Sequence, residues 1–173
     1  IAKASERYLN LTGPDGDWWN HFSCLNGLNI RTFVRLGYLN DNRLQKVIEL
    51  MLNTNRKDSG YLCDMHEKRS KNKKSCYRGC LKMLLAFSEI PELYSHERVK
   101  QLINYFLNRD VIYNSKKSAF VNSDIERFSF PVIWRANTWE TLYALSKMGY
   151  GKDPRLKPTW ELIESRRNSD GLI

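Results

Sequence analysis

From Cys24 to Arg43 the sequence reads CLNGLNIRTFVRLGYLNDNR, and the rest of the chain is organised around this stretch. An apolar helix is predicted to end at Gly37-Tyr38, and Asp41 opens a second helix after a short turn. The pattern returns as WETLYALSKMGYGKDPRL, from residue 139 to residue 156. Gly37 and Gly149 are 112 residues apart (149 − 37), and the aspartate and the arginine after each glycine keep that interval.

A third copy lies between these two. Cys76-x-x-Gly79 repeats Cys24-x-x-Gly27 at an interval of 52 residues (76 − 24), and its helix is predicted to end before Pro91. The repeating unit is therefore a helical hairpin of roughly 50–60 residues, a period typical of stacked repeat architectures.

The hairpins are predicted at about residues 23–54, 75–108 and 134–167. The first helix of the first hairpin, 23–36, is apolar nearly all round, whereas 41–53 is apolar on one face only. Ser75 and Ser95 are predicted to cap the two helices of the second hairpin. No stretch alternates long enough for a strand. We therefore expect an all-α chain with inner, buried helices and outer, solvent-facing helices, in a single repeat domain spanning residues 1–173.

Composition and charge indicate a basic globular protein. The hydrophobic fraction of 42% fits a globular chain, and no apolar run approaches the length of a membrane span. The net charge is +9. The densest basic cluster comprises Lys68, Arg69, Lys71, Lys73, Lys74, Arg78 and Lys82. This cluster is either a site for a phosphate-bearing ligand or nucleic acid, or a solvated loop between hairpins.

Four unevenly spaced cysteines do not resemble the disulfide framework of a small secreted domain, which favours reduced thiols and a cytoplasmic protein. The chain begins with Ile1 and shows no signal peptide, so we expect it to be a processed or excised fragment.

Two sequence features together resemble a known family. Hairpins joined by L-G-Y-x-x-D-x-R-L, with outer helices closed by S-G-Y or D-G-L, look like the α/α-toroid repeat proteins, the prenyltransferase and squalene-oxidase repeat group related to triterpene cyclases. The resemblance covers about residues 20–173. The family's repeat end, Q-x-x-D-G-x-W, is degraded here at 55–61 and 167–172. Cys63, Cys76 and Ile90-Pro91 match features of small prokaryotic members.

The resemblance implies inner helices around a central cavity that holds an apolar, isoprenoid-type ligand. Because larger relatives close a toroid with six hairpins, three would form a partial toroid, part of a longer chain or a half that dimerises. The D-x-D-D acid of terpenoid cyclases is absent, and Tyr61 stands where protein prenyltransferases place the Asp of their zinc-binding Asp-x-Cys. Catalysis of either type is therefore left open. The alternative is a non-catalytic repeat scaffold that binds a protein or nucleic acid through the basic cluster.

Aromatic residues near the starts of the predicted inner helices are candidates for the ligand site, since aromatic faces suit apolar and cationic groups. They are Trp18, Trp19, Tyr61, Tyr77, Trp134 and Trp139. Core packing is the other interpretation of these rings. The candidates for acid–base chemistry are Glu140, which follows Trp139, and His21, which lies beside two tryptophans.

A zinc site is the third expectation. Cys63-x-x-His66 and Cys76-x-x-x-Cys80 place four soft ligands within 18 residues, and the cysteines at 76 and 80 would share a helix face. Because Cys24 and Cys76 occupy the same repeat position, packing of small side chains is the alternative interpretation for that pair.

Overall fold

The computed structural model describes residues 2–14, 16, 18, 23–63, 74–127 and 136–171. Their α-helices are α1 (Ala2–Leu9), α2 (Ser23–Arg35), α3 (Asn42–Asn53), α4 (Tyr77–Phe87), α5 (Glu97–Leu107), α6 (Thr138–Lys147) and α7 (Lys157–Glu164). Short 3₁₀ turns span Pro91–Leu93 and Pro154–Leu156. These residues contain one isolated β-bridge, Tyr113–Phe120, and no strand, which confirms the all-helical class. The toroid arrangement and the single domain stay predictions.

The helix ends at Gly37 and Gly149 have the same geometry. Each glycine has a positive φ, +87° and +92°, a region open to glycine at little cost. The N–H of Tyr38 donates to the Phe33 carbonyl at 2.9 Å, and the N–H of Tyr150 donates to the Leu145 carbonyl at 2.8 Å. Both ends are therefore closed by the six-to-one hydrogen bond of a Schellman motif, as the repeated L-G-Y or M-G-Y element requires.

The helix starts that follow are also alike. Asp41 accepts a hydrogen bond from the backbone N–H of Arg43 at 2.8 Å and binds its guanidinium. Asp153 does the same for Arg155, with the N–H at 2.9 Å. In each case the aspartate caps a helical turn and fixes the arginine side chain beside it.

Two predicted caps are wrong. The N-cap of α4 is Cys76, and the Ser75 hydroxyl donates instead to Asp58 at 2.6 Å. At the start of α5 the Nδ1 atom of His96, rather than Ser95, accepts the N–H of Arg98. Sequence favours serine at a cap, but the Ser75 hydroxyl is drawn to a nearby carboxylate, which is a stronger acceptor.

Between these two described helices, α4 is more fully buried than α2. Every α4 residue except Arg78 is buried, including Lys82, which is 1% exposed. By contrast, α2 exposes Thr32 and Arg35, and Leu36 just after it is 44% exposed. The prediction that 23–36 is buried on most sides is therefore too strong, and the assignment of Lys82 to a solvated basic loop is wrong. On α3 the apolar face predicted within 41–53 is buried at Leu44, Val47, Ile48 and Met51.

Helices α2 and α4 pack closely through their C-x-x-G elements. A Cβ added to Gly27 would lie 2.5 Å from the Lys82 carbonyl oxygen, and one added to Gly79 would lie 2.8 Å from the Ser23 hydroxyl. Ser23 of α2 lies beside Gly79 of α4, and the later residue Gly27 lies beside the later residue Lys82. The two helices therefore run in the same direction. Beyond α4, Glu89 accepts hydrogen bonds from Arg31 and Arg35 of α2 at 3.1 and 2.9 Å.

The chain divides into two compact units, residues 1–102 and 103–173. Within the second unit, side-chain hydroxyls of two helices donate to loop carbonyls: Thr138 to Ile125 at 2.8 Å, and Thr159 to Asp110 at 2.5 Å. Among the described helices, none combines the length and the apolar character that crossing a bilayer requires.

Candidate functional site

Arg98 is a buried charged side chain of the first unit that is held by backbone carbonyls. It is 4% exposed and donates to three carbonyls: Thr54 at 2.8 Å, Ser59 at 3.0 Å and Gly60 at 2.9 Å. Its guanidinium also lies 4.1 Å from the centre of the Tyr61 ring, within cation–π range. Arg98 of α5 therefore fixes the chain between the end of α3 and Tyr61.

Tyr61 is held at every polar atom. Its hydroxyl donates to the Met51 carbonyl at 2.8 Å, and its N–H donates to the Cys80 sulfur at 3.1 Å. Its carbonyl accepts the N–H of Cys76 at 2.7 Å. Burial raises the pKa of the Tyr61 hydroxyl well above its usual range. The surroundings of this predicted ligand contact are those of a core residue.

Three of the cysteines lie near the starts of α2 and α4. Burial raises the pKa of the Cys24 thiol, and the Cys76 and Cys63 thiols raise it further. Cys63 is 4% exposed, whereas Cys24 and Cys76 are partly exposed, and none of the cysteines forms a disulfide. The raised pKa of Cys24 favours the protonated form of that thiol at neutral pH.

The predicted zinc ligands are only partly assembled. Cys63, Cys76 and Cys80 come from neighbouring segments, but His66 lies outside the described residues. Within the part of the chain that the structure describes, no three or more Cys, His, Asp or Glu residues are arranged to hold a metal ion. The zinc site stays a prediction, and the Cys80 sulfur already accepts the Tyr61 N–H.

A small cavity of about 90 Å³ lies between the start of α2, the end of α3 and the Tyr61 segment. Ser23, Asn26, Thr54 and Tyr61 are among its lining residues. Sites for drug-sized ligands usually measure about 300–1,000 Å³, so this cavity is too small for an isoprenoid.

The remaining aromatic candidates fall into two groups. Trp18 is 2% exposed and packs against Phe33 and Tyr8 with ring centres 5.6 and 6.0 Å apart, and Tyr77 is 6% exposed. Trp139 is 37% exposed on α6, with Tyr143 one turn later at 45%. Trp19 and Trp134 lie outside the described residues. Among the predicted ligand residues that the structure describes, Trp139 is the exposed one, and Tyr143, which was not predicted, lies one turn further along the same helix. We call these two residues the α6 aromatic face.

Of the two predicted acid–base groups, Glu140 lies within the described residues. Glu140 is partly exposed in the first turn of α6, where its N–H donates to the Asn137 side chain at 2.9 Å. A carboxylate at this position favours the helix through the macrodipole. His21 lies outside the described residues, so both assignments stay predictions.

Much of the predicted basic cluster, 68–73, lies outside the described residues. Lys74 is exposed and Arg78 is partly exposed, whereas Lys82 is buried in α4. A phosphate-bearing ligand at this cluster stays a prediction, and Lys82 is unsuited to bind it at the surface.

An open surface groove of about 440 Å³ lies along α7 in the second unit. Trp160, which is 39% exposed, lines it together with Pro154 and Lys157. This groove was not predicted, because the sequence places Trp160 on an outer helix with no aromatic neighbour.

Comparisons with protein-family models, curated proteins and solved structures found no match.

Proposed function

We propose that this chain is a helical-hairpin repeat protein of the α/α-toroid type that binds an apolar, isoprenoid-type ligand on the α6 aromatic face. The observation that carries the proposal is the exposure of Trp139 and Tyr143, at 37% and 45%, on consecutive turns of a predicted inner helix. Large apolar side chains exposed side by side mark interaction sites more often than isolated ones do.

The chemistry of this face suits an alkene-rich ligand. Residues four apart lie on one face of a helix, so the two rings present neighbouring apolar surfaces. The Lys147 ammonium lies 5.9 Å from the centre of the Tyr143 ring, so a positive charge borders this face. The recurring Gly37 and Gly149 helix ends support the repeat class. The proposal concerns binding and leaves catalysis open, since the sequence lacks a D-x-D-D motif.

The test is equilibrium dialysis with labelled farnesol, an isoprenoid alcohol. Trp139→Ala should weaken binding by about tenfold or more, as expected for a central aromatic contact. The matched control is Trp160→Ala, since Trp160 is exposed to a similar degree on α7. The control should bind as the wild type does.

Two results would refute the proposal. One is a wild-type protein that does not bind farnesol. The other is equal weakening by both variants, or weakening by Trp160→Ala alone, which would place an apolar ligand in the α7 groove.

A second candidate function is a scaffold that binds a polyanion. The net charge of +9 favours it, and so does the use of Trp18 and Tyr61 in packing. Affinity for a single-stranded oligonucleotide should then fall steeply with added salt, because phosphate contacts release counterions. Lys74→Glu should weaken that binding. Oligonucleotide binding that does not change with salt concentration, or no oligonucleotide binding at all, would exclude this function.

A further inference from the structure

We propose that the loop of residues 113–120 binds single-stranded nucleic acid, with a base stacked on Phe120 and phosphates beside Lys116. The starting observation is an aromatic ring exposed in a polar loop. Phe120 is 37% exposed, and every residue from 115 to 120 is exposed. Proteins that bind single strands combine such rings with basic groups, because every base has a face that can stack and every phosphate attracts an ammonium group.

Two aromatic rings lie side by side on this loop. Tyr113 and Phe120 form an antiparallel β-bridge, and beside it the N–H of Asn114 donates to the Ala119 carbonyl at 2.9 Å. The rings of Tyr113 and Phe120 are stacked, with centres 5.7 Å apart and planes 12° apart. Residues opposite each other in a bridge have their side chains on one face. The loop therefore presents a pair of nearly parallel rings, of which Phe120 is the more exposed.

The charge of the loop suits phosphate. Residues 113–120 contain two lysines and no acidic residue. The Lys117 ammonium is paired with the Asp110 carboxylate at 2.6 Å, which offsets the charge of that carboxylate. Lys116 is exposed and adds a further positive charge, so the loop attracts an anion beside its rings.

The backbone that carries the loop is held in an unusual conformation. Asp110, Val111 and Lys117 have positive φ angles of +47°, +65° and +54°, and valine in particular rarely adopts this region. The Thr159 hydroxyl of α7 donates to the Asp110 carbonyl at 2.5 Å. Strained residues persist where the surrounding structure fixes them, and they cluster at binding sites. A loop that is already fixed loses little conformational freedom on binding, which favours affinity.

A single strand fits this loop better than a duplex or a membrane does. In a duplex the base faces are covered by neighbouring base pairs, so they are not free to stack on Phe120. An anionic membrane would also attract the lysines, but insertion depends on buried apolar area, and residues 115–120 offer only Ala119 and Phe120. The loop shares no residue with the α6 aromatic face or the basic cluster, so its function does not depend on theirs.

The test is fluorescence anisotropy with a labelled DNA strand of about 16 nucleotides of mixed sequence. Phe120→Leu should weaken binding by about tenfold, because it removes the ring and keeps an apolar side chain. Phe120→Trp should bind at least as tightly as the wild type, and this recovery would show that the loss reflects the ring and not a disturbed fold. The matched control is Trp160→Leu, which should leave affinity unchanged, since Trp160 is 39% exposed on α7.

Two further measurements separate stacking from charge alone. The same strand annealed to its complement should bind about tenfold more weakly, whereas charge alone would favour the duplex with its denser phosphates. Lys116→Ala should reduce the slope of log affinity against log salt by about one. Lys100→Ala, at an exposed position on α5, should leave that slope unchanged.

Several results would overturn the proposal. One is a wild-type protein that does not bind the strand, and others are unchanged affinity in Phe120→Leu or tighter binding of the duplex. Loss of binding in Lys74→Glu but not in Phe120→Leu would overturn it by placing the nucleic acid at the basic cluster. Binding to phosphatidylserine vesicles that depends on Phe120, without binding to the strand, would overturn it by assigning the loop to a membrane surface.

Discussion

Arg43 and Arg98 are each the second residue of a helix, and the side chain two residues earlier accepts the backbone N–H of each. Different partners nevertheless hold the two guanidinium groups. Arg43 binds the side chains of Asp41, Glu6 and Asn10, at 2.6, 3.0 and 2.5 Å, and its own side chain is 30% exposed. Arg98 is 4% exposed and binds three backbone carbonyls.

Both arginines reach back to the end of an earlier helix, α1 for Arg43 and α3 for Arg98. Arg155 follows the first pattern, with Asn104 and Asn108 of the α5 region as partners at 3.4 and 3.3 Å. The comparison shows that an arginine at the second position of a helix can bind the end of an earlier helix either through side chains, as Arg43 does, or through backbone carbonyls, as Arg98 does. A solvent-exposed side-chain network contributes little to stability, whereas a buried cation bound to carbonyls is costly to remove.

The largest predicted effect is that of Arg98→Ala. The change leaves three carbonyls without their charged donor, so the free energy of unfolding should fall by about 3–4 kcal/mol. Urea denaturation measures this loss. Arg98→Lys should recover less than half of it, because an ammonium lacks the planar fork that serves several acceptors at once. Full recovery by lysine would show that charge alone matters at this position.

A smaller effect is predicted where α2 and α4 cross. Gly27→Ala should lower the free energy of unfolding by about 2 kcal/mol, since its Cβ would meet the backbone of Lys82, which cannot move aside. Gly79→Ala is the matched control. It meets only the Ser23 hydroxyl, and alanine favours helix over glycine by about 1 kcal/mol. Equal losses in urea denaturation would contradict this account of the crossing.

The smallest effect concerns acid stability at Asp41. The side-chain hydrogen bond from Arg43 lowers the pKa of Asp41 from its ordinary 3.8 to about 2. The stabilisation is therefore present above about pH 4 and is lost as the pH falls toward about 2. The free energy of unfolding of the Asp41→Asn variant should therefore depend less on pH in that window than that of the wild type.

Asp153 offers a parallel case, because its side-chain hydrogen bond from Arg155 also lowers the pKa of its carboxyl. The stability of the Asp153→Asn variant should also depend less on pH between about 2 and 4 than that of the wild type. Urea unfolding midpoints measured between pH 2 and 5 would check both variants. If the midpoints of the variants changed with pH as the wild type's do, neither aspartate would contribute to the pH dependence of stability.

The geometry of these helix ends and helix starts could be predicted from sequence because it depends on local chemistry. Gly37, Gly149, Asp41 and Asp153 each act within a few residues, so their residue types indicate a helix end or a helix start. The matching role of Arg98 was not predicted, because His96 stands two residues before it, whereas Asp41 and Asp153 precede Arg43 and Arg155. The spacing His96-x-Arg98 was the available signal.

Tertiary contacts account for what the sequence did not indicate. Lys82 reads as part of a basic run, but packing of α4 buries it. Trp18, Tyr61 and Trp139 look alike as aromatic candidates, yet two are buried and one is exposed. Exposure depends on which helices pack together, and no local pattern distinguishes an aromatic residue in the core from one in a ligand site.

Hydrogen exchange on the two arginine variants tests most directly the claim that each arginine holds the helix end it reaches. In Arg98→Ala, peptides covering 54–63 and 74–80 should lose protection, because the Tyr61 and Cys76 N–H groups belong to the segment that Arg98 fixes. In Arg43→Ala, the loss should be confined to residues 2–11. Equal, chain-wide loss in both variants, or unchanged protection at 54–63 in Arg98→Ala, would contradict the claim.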